Sequence, residues 1–131
     1  MLFSTYYPAE QTSSEKPLLV FLHGLLGSGE DWSACHSYLS EYPRLCIDLP
    51  GHGKSCFVDP IGFDHCCEKI VQNVQFQLQQ YQLPDDYPIV LIGYSLGGRL
   101  AMYGVTNGKF DELNLVKVVV EGGNFGLDCD D

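Results

Sequence analysis

Ile89-Val90-Leu91-Ile92-Gly93-Tyr94-Ser95-Leu96-Gly97-Gly98 is the stretch whose reading decides the fold. Four consecutive aliphatic residues, three of them β-branched, fit a strand buried on both faces of a sheet. The segment after the serine, Leu96 to Thr106, has helical character. A serine with glycine two residues before and two after it, between a strand and a helix, is the pattern of a nucleophile elbow. The turn is so tight that both flanking positions must be small. It lifts the Ser95 hydroxyl above the sheet at a helix N-terminus, where backbone N–H groups meet developing negative charge. A bare G-x-S-x-G arises often by chance, and the competing reading is a glycine-rich turn with an incidental serine. The apolar strand leading into the motif favours the elbow.

Three further apolar runs lie outside this stretch: Leu18 to Leu22, Leu45 to Leu49 and Leu115 to Val120. Each is short and almost continuously hydrophobic, as expected of strands buried on both faces of a parallel sheet. The clearest crossover helix is Phe63, Cys66, Cys67, Ile70, Val71, Val74, Leu78, Tyr81, which keeps i, i+3, i+4 spacing over about five turns. Weaker helical segments cover about Asp31 to Glu41 and Leu96 to Thr106. Strand and helix in alternation predict an α/β fold, a mostly parallel sheet with flanking helices. The polar stretch Pro8 to Pro17 reads as a turn or hairpin connection. With 131 residues and no repeat or linker, the chain reads as a single unit, 1–131.

Composition narrows the function classes. Seven Lys and Arg face 17 Asp and Glu, a formal net charge of −10. That balance argues against nucleic acid and anionic membrane surfaces as partners, since both are bound by clustered cations. No apolar run approaches the roughly 20 residues of a membrane span. Met1 to Tyr7 lacks the basic and apolar regions of a signal peptide, so a soluble cytoplasmic protein is expected. The six cysteines (Cys35, Cys46, Cys56, Cys66, Cys67, Cys129) are then expected as thiols. They show no C-x-x-C pair and His65-Cys66-Cys67 lacks ligand spacing, so a core role outweighs a metal site.

Two loops follow strands and carry polar residues. Leu18 to Leu22 runs into His23-Gly24-Leu25-Leu26-Gly27-Ser28-Gly29. Leu45 to Leu49 runs into Asp48-Leu49-Pro50-Gly51-His52-Gly53-Lys54-Ser55, whose Pro and Gly make a sharp exit. The second is not a phosphate loop, because its spacing to Gly-Lys-Ser is wrong. Arg99 stands four residues after Ser95, one turn along the same helix face. Its guanidinium there either grips a substrate carboxylate in bidentate fashion or is a solvated surface group.

These motifs resemble the α/β-hydrolases. The resemblance assigns the oxyanion hole to the backbone amides of Leu25 and Leu96. It also orders the triad as Ser, acid, His, so His23, which precedes Ser95, is expected to be a structural imidazole. His52 reads as a surface loop residue. Glu121 is a weak candidate for the acid, and a loop-shaping role is preferred for it.

Gly93-Tyr94-Ser95-Leu96-Gly97-Gly98-Arg99, with Val120-Glu121-Gly122-Gly123 and Phe125-Gly126-Leu127, more narrowly resembles the 2-succinyl-6-hydroxy-2,4-cyclohexadiene-1-carboxylate synthases of menaquinone biosynthesis. That resemblance implies a lyase removing pyruvate from 2-succinyl-5-enolpyruvyl-6-hydroxy-3-cyclohexene-1-carboxylate, a small anionic substrate, without metal or organic cofactor. Ser95 maps onto the catalytic serine, Arg99 onto an arginine contacting substrate carboxylates, and Tyr94 onto an aromatic flanking the pocket. Asn124 departs from the His often found there.

The family's chains are longer. The chain therefore reads as the N-terminal half of such an enzyme, with the catalytic Asp and His expected beyond residue 131. A truncation product and a split gene with a separately encoded C-terminal half as partner are both expected forms. A serine esterase of the same fold, or an inactive fragment, are the alternatives.

Overall fold

The computed structural model describes residues 1–10 and 15–122. Five strands, β1 (Ser4–Tyr7), β2 (Leu18–Leu22), β3 (Arg44–Ile47), β4 (Ile89–Tyr94) and β5 (Leu115–Glu121), form one sheet in the order β1-β3-β2-β4-β5. All neighbours run parallel except β1 with β3. Two helices, α1 (Phe63–Gln80) and α2 (Leu96–Thr106), complete the strand–helix alternation expected of an α/β fold.

β2 is buried at all five positions because it lies between β3 and β4 with side chains packed on both faces. Its period-2 alternation splits those side chains between two clusters. Leu18, Val20 and Leu22 join Ile70 and Val74 of α1 and Leu100 of α2. Leu19 and Phe21 join Cys46, with Trp32 and Tyr42 partly covering them. The apolar stripe of α1 is buried as its spacing predicts, from Cys66 to Leu78, and it carries Asn73 with it. Each fully buried aliphatic there contributes about 2 kcal/mol. Asn73 donates from Nδ2 to Leu2 O at 2.8 Å, tying down the N-terminus.

Four sequence expectations need correction. Among the described residues β5 lies at one end of the sheet and is not buried on both faces; Val116 and Val119 are 56% and 40% exposed. The Asp31–Glu41 helix forms as a 3₁₀ helix over Gly29–Tyr38, started by a Ser28–Asp31 capping box. Only Gly29 of that segment is buried, so no apolar face holds it as a regular α-helix. Of the turn or hairpin expected between Pro8 and Pro17, the hairpin is excluded, because β1 and β2 are not neighbours; β1 pairs antiparallel with β3, from Ser4 opposite Ile47 to Tyr7 opposite Arg44. Finally, the Leu45–Leu49 strand ends at Ile47, where the Asp48 loop begins.

The strand order marks where the connections change direction. After β2 the chain crosses to β3 on one side, and after β4 it crosses to β5 on the other. The C-terminal ends of β2 and β4 therefore flank a topological switch point, where open α/β sheets bind ligands.

Candidate active site

Ser95 sits between β4 and α2 with φ 55° and ψ −112°. A β-carbon makes this region costly, and the conformation persists because the surroundings hold it. Ser95 N–H donates to Glu121 O at 2.9 Å, Gly97 N–H to His23 O at 3.0 Å, and Arg99 N–H to Ser95 O at 2.9 Å. These bonds pin the elbow to β5, to β2 and to its own helix. The glycines are steric requirements: a Cβ on Gly93 would lie 2.5 Å from Gly97 O, and one on Gly97 would collide with Leu22 O. The first amides of a helix lack intrahelical acceptors. Gly97 N–H finds its acceptor in His23 O, and the loop and turn hydrogen bonds of the described residues include none from the Leu96 amide.

The loop after β2 meets this elbow through Gly24. A Cβ there would stand 3.3 Å from Ser95 Cβ and 3.0 Å from the Tyr94 ring, a tight contact that a larger residue would meet only if the Tyr94 ring shifted. Leu25 follows directly, its side chain 68% exposed, and Gly27 N–H closes the turn on Gly24 O at 3.0 Å. Tyr94 is half exposed, its ring packed between Gly24 and Gly122.

His23 is fully buried and occupied at both nitrogens. Nε2 accepts Leu49 N–H at 2.9 Å, so Nδ1 carries the proton and donates to Gly24 O at 2.7 Å. Burial lowers its pKa, keeping the imidazole neutral. It is a strut between the loops after β2 and β3. His52 Nδ1 donates to Pro50 O at 3.0 Å, and its ring packs 5.1 Å from His23. His36 lies against Tyr7 and Cys46, and His65 is on α1. Among the described hydrogen bonds, no histidine ring is bonded to Ser95.

Asp48 is a positioning residue that sequence reading left as part of a loop motif. Buried, it accepts Gly29 N–H at 2.7 Å on Oδ1 and Lys54 N–H at 2.9 Å on Oδ2, fastening the loops after β2 and β3 together. Ser55, also buried, accepts Phe3 N–H at 2.8 Å. The signal available in the sequence was an Asp at a strand end before Pro-Gly-x-Gly.

Arg99 is exposed on α2, its guanidinium 5.9 Å above the Phe63 ring. Glu121 acts through its backbone carbonyl, and its side chain is exposed. Asn124 and Phe125 to Leu127 lie outside the described residues. Among the described residues no group of three His, Cys, Asp or Glu is arranged to hold a metal ion, and no helix is long and apolar enough to cross a membrane.

Residues 19–129 match the model of the alpha/beta hydrolase family. The chain belongs to that family. It is 42% identical over 125 residues to the 2-succinyl-6-hydroxy-2,4-cyclohexadiene-1-carboxylate synthase of Yersinia enterocolitica, covering 95% of this chain and 41% of that one. To the enzyme of the same name from Serratia proteamaculans it is 40% identical over 119 residues, covering 90% and 43%. Among solved structures it resembles MenH from S. aureus, with a TM-score of 0.70 at 28% identity over 97% of this chain and 44% of that one. It also resembles a lipase-esterase related protein from Clostridium acetobutylicum, with a TM-score of 0.72 at 27% identity, covering 94% and 47%. The chain thus spans about two fifths of the length of the curated relatives it matches.

Proposed function

We propose that this chain is the nucleophile-bearing part of a lyase that eliminates pyruvate from 2-succinyl-5-enolpyruvyl-6-hydroxy-3-cyclohexene-1-carboxylate. The observation that carries the reading is the identity of 40–42% to synthases of that name across nine tenths of the chain. The strained Ser95 supports it, and so does Arg99 one turn further along α2. In this reading Ser95, deprotonated by a histidine, removes a proton from the ring substrate. The amides of Leu25 and Leu96 stabilise the enolate charge that develops, each worth about 3 kcal/mol. Arg99 holds a substrate carboxylate and Tyr94 flanks the ring. The bound charges of this chain are mostly negative, at −10 net, so an anionic substrate depends on cations placed locally. His23 cannot serve as the base, since both its nitrogens are engaged. The base and its acid come from chain beyond residue 131, in the same polypeptide or a separate one. The chemistry requires no metal or organic cofactor. Five described cysteines are free thiols, which fits a cytoplasmic setting.

A serine esterase is the second reading, favoured by the likeness to the lipase-esterase related protein. The test is direct: residues 1–131 joined to the C-terminal continuation, assayed for pyruvate release from the cyclohexene substrate and for hydrolysis of p-nitrophenyl butyrate. The lyase reading expects pyruvate release, lost by at least about a thousandfold in Ser95→Ala. Ester turnover without pyruvate release would replace it with the esterase.

A further inference from the structure

The ion pairs of the described residues are Lys16–Glu41 and Lys109–Asp64, and neither involves Arg99. Its guanidinium instead rests over the face of Phe63 at 5.9 Å from the ring centroid, within cation–π range. That ring is itself braced. Tyr103 meets it edge-on at 5.4 Å and 81°, and the Tyr103 hydroxyl donates to Asp64 Oδ1 at 2.6 Å. Lys109 Nζ stands 3.4 Å from the same carboxylate oxygen. Phe63 opens α1 directly after Gly62, whose φ of 117° a side chain would strain although open space surrounds it. α2 starts directly after β4 with Ser95 between them, and the Arg99–Phe63 contact brings the start of α1 beside it.

The contact has a chemical consequence. A cation held over an aromatic face is attracted to the ring without an oxygen acceptor, whereas a bidentate carboxylate partner would take two of the guanidinium's five N–H donors. We propose that Phe63, braced by Tyr103 and Asp64, is a positioning residue that seats Arg99 with its donor edge free for a substrate carboxylate. The proposal rests on the reading of Arg99 as the carboxylate-binding group. A seated arginine loses less side-chain freedom when the ligand arrives, so affinity for carboxylates depends on the aromatic face.

The test uses the 131-residue chain labelled with ¹⁵N and succinate as the probe. The chain contains only Arg44 and Arg99, so the Arg99 Nε–Hε resonance is assigned from Arg99→Lys. Ring current displaces that resonance in the wild type and in Phe63→Tyr, and the displacement disappears in Phe63→Leu. Tyr103→Phe, which keeps its ring and loses only the hydroxyl to Asp64, reduces it in part. Succinate affinity falls roughly two- to fivefold in Phe63→Leu, returns in Phe63→Tyr, and is lost in Arg99→Ala. An Arg99 resonance unmoved by Phe63→Leu overturns the seat whatever succinate does. Succinate binding lost in Arg99→Ala but intact in Phe63→Leu overturns the positioning role alone. Binding untouched by Arg99→Ala overturns the carboxylate reading and the proposal with it.

Discussion

Ser95 occupies a backbone conformation that costs about 1–3 kcal/mol for a residue with a β-carbon. Replacement by glycine relieves that cost, so Ser95→Gly is expected to stabilise the chain by about 1 kcal/mol, read as a higher urea midpoint at constant slope. The opposite holds two residues on. Gly97→Ala drives a methyl into Leu22 O and is expected to destabilise by about 2–3 kcal/mol. His23 gives a pH dependence whose sign follows from its burial. Its unfolded pKa is about 6.5 and its folded pKa lies lower, so between the two the unfolded chain binds the extra proton. Its contribution is complete above about pH 6.5 and is lost as pH falls through the folded value. His36, lowered by burial and by Arg44, adds in the same direction. Urea midpoints at pH 8, 6.5 and 5 should therefore fall on acidification, and less so in His23→Asn. A flat or rising midpoint would count against the neutral strut.

Helix α1 and strand β5 show how far pattern reading reaches among elements. The α1 stripe was legible because a buried helix face repeats its apolar residues at helical spacing whatever it packs against. β5 was legible as a strand and misread in burial, because a run of valines looks the same at a sheet edge as at its centre. β1 escaped notice, since Ser4-Thr5-Tyr6-Tyr7 has no apolar alternation and gains its place from pairing with β3. Among the described residues no strand pairs with the far side of β5, which carries the exposed Val116 and Val119, a template for edge-to-edge association. Residues 1–131 are expected to associate with rising concentration in sedimentation velocity, and Val119→Lys should shift them towards monomer. Monomeric behaviour of the unmodified chain at high concentration would disprove this.

At the scale of the molecule, the described residues assemble a serine with its turn, two loops and an arginine, and leave that serine without a hydrogen-bonded histidine. A serine hydroxyl is a poor base until a histidine takes its proton. Residues 1–131 alone are therefore expected to turn over neither the cyclohexene substrate nor simple esters above background. Robust turnover by the isolated chain, measured as pyruvate or p-nitrophenol release, would move the search for a base to His36, His52 and His65.

The sequence by itself determined the α/β class, the elbow at Ser95 and the strand before the His23-Gly24 loop. These rest on local sterics and short-range periodicity, which residues near one another in the chain settle. Only the tertiary structure decided that β2 and β4 flank the switch point, that Gly24 abuts Ser95, that Asp48 and His23 tie the loops after β2 and β3 together, and that Phe63 lies beneath Arg99. Each joins residues far apart in the chain. Such pairings come from sheet order and helix packing, and no spacing within the sequence encodes them.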